Sequence, residues 1–144
     1  MAGRWRKSWY QSGVEIGEKI WGKEFFAERL KKAQRTHPFF DDLSVLGWSL
    51  FARPGLDLKT RELCQIACLT TSRILGLPFR LHVIGALNCG ATPTEIEEVI
   101  IQLTTYAGIA PVRAAMDEAK EIIATYKRPG DLTPKGRAGK RTQD

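Results

Sequence analysis

The sequence predicts an all-α protein, on three observations. Nearly every periodic segment repeats its apolar residues at helical spacing. No Val/Ile/Thr-rich alternation bounded by hairpin turns offers a home for a sheet. Helix start and stop signals also punctuate the chain, at His37-Pro38, Gly76-Leu77-Pro78 and Thr92-Pro93.

The first helix is expected over about Trp9 to Trp21, carried by Val14, Ile16, Ile20 and Trp21, with Gly13 and Gly17 weakening it. A second runs from Lys23 to Arg35 with Phe25, Phe26, Leu30 and Ala33. It ends at His37, because the residue before a proline is pushed out of helical geometry. The third, Phe39 to Phe51, stops before Arg53-Pro54-Gly55. Lys59 to about Leu75 repeats Leu63, Ile66, Ala67, Leu69 and Ile74 with few charges, as a helix buried on most sides would. The next begins near Pro78, a residue suited to a first turn, and ends at Cys89 with Gly90 as its cap. Thr92-Pro93-Thr94-Glu95 forms a capping box that opens a helix reaching Gly108. Pro111 opens the last helix, through Met116, Ala119, Ile122, Ile123 and Tyr126.

These elements make one domain over residues 1–128, followed by a basic tail, residues 129–144, that lacks periodicity and is expected to be disordered. The chain has 144 residues, 43% hydrophobic and 26% charged, the balance of an ordinary globular protein. No apolar run approaches the roughly 20 residues that span a bilayer, and no secretory core follows the basic start. A cytoplasmic protein without a membrane partner is expected. The net charge of +6 is concentrated at the two ends. Without an RNP-like, zinc-finger or helix-turn-helix pattern, those ends read as solvated tails, and no nucleic-acid partner is expected. Cys64, Cys68 and Cys89 are too few and scattered for a disulfide framework, and are expected to be buried free thiols.

Chemistry concentrates between Arg53 and Gly108. His82 is the leading catalytic candidate, since imidazole suits proton transfer near neutral pH and shares its helix side with Pro78, Gly85 and Cys89. Small Gly85 and Ala86 let a helix or ligand come close to it. Arg53, Arg61, Arg73 and Arg80 suit carboxylate recognition through paired hydrogen bonds, or else meet nearby acids and water. Glu62, placed in the first turn of the apolar helix, complements its dipole. Trp5, Trp9, Trp21 and Trp48 could line an unsaturated substrate's pocket or fill a core. No phosphate loop, Ser-His-Asp order or metal-ligand spacing is present, so no metal or cofactor is expected.

The sequence resembles the carboxymuconolactone decarboxylase family, within the fold that family shares with alkylhydroperoxidase D-type proteins. The likeness spans about residues 11–123. It is densest in Arg53-Pro54-Gly55-Leu56, Lys59-Thr60-Arg61-Glu62-Leu63, Arg80-Leu81-His82, Gly85-Ala86-Leu87-Asn88, Gly90-Ala91-Thr92 and Tyr106-Ala107-Gly108. The resemblance implies an all-helical bundle that forms homo-oligomers, trimers or hexamers, with sites near subunit contacts. It implies a cofactor-independent carboxy-lyase acting on a small molecule: a carboxylated lactone such as 4-carboxymuconolactone, or a related vinylogous or β-keto acid. His82 then matches the motif histidine as proton donor or oxyanion partner, and Arg80, Arg61 and Arg53 are candidates to bind substrate carboxylates. The peroxidase branch carries a Cys-x-x-Cys ahead of this histidine. Here Leu75 and Pro78 stand at those positions, so disulfide-based peroxide reduction is not expected. Residues 71–79 hold no carboxylate, and the approach to His82 is expected to be apolar. Two other classes remain beside the lyase: a noncatalytic small-molecule-binding or assembly subunit, and a thiol-dependent reductase.

Overall fold

The computed structural model describes residues 2–127, with side chains from residue 8 onward. The basic tail and Trp5 lie outside those described parts. Among the described residues there are eight helices and no strand: α1 Ala2–Trp21, α2 Lys23–Thr36, α3 Pro38–Phe51, α4 Leu58–Thr71, α5 Leu77–Asn88, α6 Pro93–Gln102, the single turn α7 Thr104–Ala107, and α8 Ile109–Thr125. The all-α expectation holds. None of these helices is long and apolar enough to cross a membrane.

The helices gather around two apolar clusters. One, from α4, α5, α6 and α8, centres on Ile66, Phe79, Val83, Ile96, Ile100, Ala115 and Ile122. The other, from α1, α2 and α3, centres on Ile20, Trp21, Phe26, Trp48 and Phe51, and takes Leu81 from α5. Helix α5 therefore serves both clusters. Phe79, Val83 and Ala86 turn to the first, Leu81 to the second, and half-buried Ile84 touches each. A helix apolar on opposite sides has no polar stripe to advertise its orientation.

Glycine plays a different part in α1 from the one its helix propensity suggests. A Cβ at Gly13 would collide with the Val45 carbonyl, and one at Gly17 with the Phe26 ring. These glycines let α1 lie close against α2 and α3, offsetting the propensity cost of about 1 kcal/mol each. Elsewhere boundaries moved. Helix α4 ends at Thr71 instead of Leu75, because Ser72 and Arg73 close it with a left-handed turn, Arg73 having φ 59°. In that turn the Arg73 N–H donates to Thr70 O at 3.1 Å and the Ile74 N–H to Leu69 O at 2.9 Å. The expected Thr92–Gly108 helix breaks at Leu103, whose N–H bonds Ile100 O at 3.2 Å while the Thr104 hydroxyl takes the Ile101 carbonyl at 2.7 Å. Helix α8 starts at Ile109, two residues before Pro111, which still sits in the first turn where a missing N–H costs nothing.

The thiols are less enclosed than expected. Cys64 and Cys68 lie on the exposed side of α4, four residues apart, while Glu62, Ile66 and Thr70 take its buried side; Cys89 is intermediate. The apolar pattern of α4 thus covers one face only.

Replacing Gly17 by Ala should lower the urea-unfolding free energy by about 1–3 kcal/mol, as overpacking of a tight contact does. An unchanged or raised urea midpoint would show that α1 and Phe26 can separate without cost.

Candidate functional site

The site is assembled by the α4–α5 hairpin. Asp57 caps α4, accepting the Thr60 N–H at 2.8 Å and the Thr60 hydroxyl at 3.0 Å. Because α4 starts at Leu58, Glu62 falls beyond the first turn, and the dipole role expected of it passes to Asp57. At the other end of the hairpin, the Gly76 N–H donates to both Glu118 carboxylate oxygens, at 3.0 and 3.2 Å. That bond ties the start of α5 to α8 and aims α5 back along α4.

The hairpin brings His82 onto Glu62. Imidazole Nδ1 lies 2.7 Å from Glu62 Oε2, a charge-assisted distance. The Glu62 side chain is 0% exposed and that of His82 20% exposed. The approach to the histidine is therefore not free of carboxylate. Residues 71–79 lack one, as the sequence shows, but α4 supplies it twenty positions before His82. Burial pushes the Glu62 carboxyl above the ordinary glutamate range, while the hydrogen bond and charge of His82 pull the other way. Oxygen Oε1 of Glu62 is buried without a hydrogen-bond partner. Gly85, one turn beyond His82, makes room for this carboxyl: a Cβ there would sit 2.8 Å from Glu62 Cδ and 2.9 Å from Oε1.

Aromatic rings form the adjoining wall. The Trp48 ring centroid is 5.9 Å from that of His82, and Trp48 meets Phe51 edge-on at 5.3 Å and Trp21 at 6.1 Å. Trp21 and Trp48 both fill the core, and Trp48 also lies beside the histidine.

The arginines separate. Arg61 donates to Leu56 O at 3.2 Å and Arg53 O at 2.8 Å, with its guanidinium 6.0 Å from the Phe51 ring centroid. It holds the α3–α4 loop and brings the Arg53 backbone, not its exposed side chain, to itself. Arg80 is exposed, and at two residues from His82 it leaves α5 from another side. The structure does not gather these three guanidinium groups around the imidazole. Burial, then the Glu62 charge, raises the Cys89 thiol to about 11, so it stays protonated and poorly nucleophilic at neutral pH. Among the described residues no group of three His, Cys, Asp or Glu side chains is placed to hold a metal ion.

An all-helical fold with a buried carboxyl–imidazole pair and no thiol pair ahead of the histidine defines the class. Residues 38–121 match the carboxymuconolactone decarboxylase family, and the chain belongs to that family. It is 31% identical over 133 residues to a nitrosuccinic acid decarboxylase of Metarhizium robertsii, covering 88% of this chain and 85% of that relative. It is also 31% identical over 118 residues to a 4-carboxymuconolactone decarboxylase of Acinetobacter baylyi, covering 79% and 86% of the two chains. An uncharacterised 15.0 kDa protein of Paracoccus denitrificans is 39% identical over 103 residues, or 71% of this chain and 76% of that one. Family and named relatives together support a carboxy-lyase type of activity.

Two outcomes test the pair. The folded state binds the Glu62 proton more tightly than the unfolded chain does. The stabilising contribution of the protonated carboxyl is therefore present below the ordinary glutamate range and lost as pH rises through the raised value. Between about pH 4 and about pH 8 the stability of Glu62→Gln should fall less than that of the wild type in urea titrations. Parallel pH profiles would remove the case for a perturbed carboxyl. Gly85→Ala should force Glu62 off His82, lowering Tm by several degrees for a cost of about 1–3 kcal/mol. Thermal unfolding at the wild-type temperature would contradict the crowding.

Proposed function

We propose that the protein is a cofactor-independent carboxy-lyase acting on a carboxylated lactone such as 4-carboxymuconolactone, or on a related vinylogous or β-keto acid. His82 is the proton donor. The observation that carries this reading is the pairing of His82 with the buried Glu62, next to the Trp48 wall. The substrates in the relatives' names support it. Each places a carboxylate where its departing electrons can reach an oxygen-bearing acceptor, a lactone carbonyl in one and a nitro group in the other.

The chemistry follows from which ring nitrogen is engaged. Glu62 holds Nδ1 and fixes the orientation of the ring, leaving Nε2 to meet substrate. The bond to the carboxylate breaks, its electron pair passes through the conjugated bonds onto the acceptor oxygen, and carbon dioxide leaves. The imidazolium then delivers its Nε2 proton to carbon as the pair returns from oxygen, and the neutral ring regains a proton from solvent. The aromatic wall keeps the charge on the substrate in a poorly solvated space, where a nearby donor acts strongly. Substrate carboxylates have Arg61, Arg53 and Arg80 as candidate partners. Arg61 keeps some donors beyond its two loop carbonyls, while the other two need a rearranged loop or a neighbouring subunit to reach the site.

A homo-oligomer, trimer or hexamer, belongs to the same reading. Phe39, Leu43, Leu46 and Leu50 stand exposed at seam spacing on α3, and Tyr106 and Ile109 are 92% and 75% exposed. Such apolar surface favours a covering copy of the chain.

Carbon dioxide release from 4-carboxymuconolactone should fall about 100- to 10,000-fold in His82→Gln, the range for loss of a general acid. In Glu62→Gln it should fall at least about tenfold through a lower kcat, as when a residue that orients a catalytic histidine is lost. His82→Gln turning over at the wild-type rate would sink the role of His82. Absence of turnover by the wild type on lactone, vinylogous and β-keto acids alike would favour the noncatalytic binding subunit.

A further inference from the structure

We infer that Cys64 and Cys68 form a two-thiolate clamp on the outer face of α4 that takes one soft monovalent cation, Cu(I). The inference stands apart from the reaction assigned to His82. Cysteine is among the residue types most often buried, yet both of these thiols are free and exposed. They occur in register, one helical turn apart, while Glu62, Ile66 and Thr70 take the opposite, buried side of the same helix. Neither thiol belongs to the two apolar clusters, so packing does not account for them.

The spacing decides what the pair can hold. Side chains four apart on a helix have Cβ atoms about 5–6 Å from each other. A disulfide needs about 3.5–4.5 Å between them, so α4 keeps the two thiols from closing on one another. Two metal–sulfur bonds of about 2.3 Å set in line span roughly 4.6 Å. Sulfurs rooted 5–6 Å apart reach that span by rotation about χ1 alone. The helix thus holds the pair open at a width that suits an ion between the sulfurs.

The surroundings decide which ion. Among the described residues no group of three His, Cys, Asp or Glu side chains is placed to hold a metal, so coordination by this pair stops at two. The neighbouring hydroxyls on α4 are engaged, Thr60 donating to Asp57 Oδ2 at 3.0 Å and Thr71 to Ala67 O at 2.9 Å. Cys89 is half-buried at the end of α5 against the aromatic cluster, away from this face. Zn(II) takes four ligands in protein sites and is poorly served by two. Thiolates select Cu(I), a d10 ion content with two sulfurs in line. Binding displaces one proton from each thiol and leaves a bis-thiolate with one net negative charge, on a chain whose formal charge is +6.

The test is competition for Cu(I) between the full chain and bathocuproine disulfonate, without oxygen and with ascorbate as reductant. The wild type should take one Cu(I) per chain, with two sulfur neighbours by X-ray absorption. Cys64→Ser and Cys68→Ser should each bind at least about 100-fold more weakly, as expected when the second ligand of a chelate is lost. A double variant, Cys68→Ser with Thr71→Cys, keeps two thiols on α4 but sets them seven residues, about 10 Å, apart. It should bind as weakly as the single variants, whereas Cys89→Ser should bind like the wild type. Zn(II) should remain with 4-(2-pyridylazo)resorcinol when the protein is added. Single variants or the respaced variant within about threefold of wild type would overturn the clamp, since isolated surface thiols would then suffice. Half an ion per chain would overturn it too, showing two chains sharing one ion. Loss of binding in Cys89→Ser would move the ion to the interior thiol, and Zn(II) uptake would refute two-coordinate selectivity.

Discussion

A carboxyl group cut off from water is stable only if it stays neutral or meets a matched donor, and Glu62 is such a group. Its one hydrogen-bonding partner is the His82 imidazole, 2.7 Å away on the next helix. Much of the surrounding architecture keeps that contact in place. Asp57 sets where α4 begins, Glu118 accepts the N–H of Gly76 just ahead of α5, and the absent side chain of Gly85 leaves the volume the carboxyl occupies. Stability alone would favour an apolar residue at position 62. The chain instead retains a costly buried acid next to a partly exposed imidazole, an arrangement that clusters at sites where protons move.

Helix α5 brings two packing environments to that pair. On one side the aliphatic cluster of α4, α6 and α8 supplies rigid support for the hairpin. On the other, the rings of Trp21, Trp48 and Phe51 pack edge-on into a weakly polar wall whose Trp48 lies next to His82. The wall depends on α1 approaching closely, and Gly13 and Gly17 allow that approach. Residues far apart in the chain thereby build one site, in which α1 and α3 shape the space while α4 and α5 carry the titratable groups.

Local signals in the chain were informative where the physics is local. The proline at 38, the Thr92–Glu95 box and the Gly108 turn mark helix ends by steric and hydrogen-bonding rules that act over a few residues, and the structure places ends close to them. His82 could be singled out by residue type and motif. Glu62 could not be recognised as its partner, because a glutamate near a helix start already has an adequate local reason to be there. A signal was present in retrospect: an acid inside an otherwise apolar helix, followed by a small residue on the facing helix. The exposure of Cys64 and Cys68 is not legible because apolar composition does not say which face a helix buries, and the α4 end depends on the left-handed backbone of Arg73.

The amino-acid sequence by itself determined the helical class, most helix ends, the missing thiol pair and the candidate histidine, since each depends on neighbours in the chain or on a short motif. Only the tertiary structure decided that Glu62 meets His82, that Trp48 stands beside His82, and that Trp21 packs against Trp48. Those facts arise from the antiparallel return of α5 and the close seating of α1. Contacts between residues 20 to 60 positions apart are set by how helices pack, and no periodicity along a single helix records them.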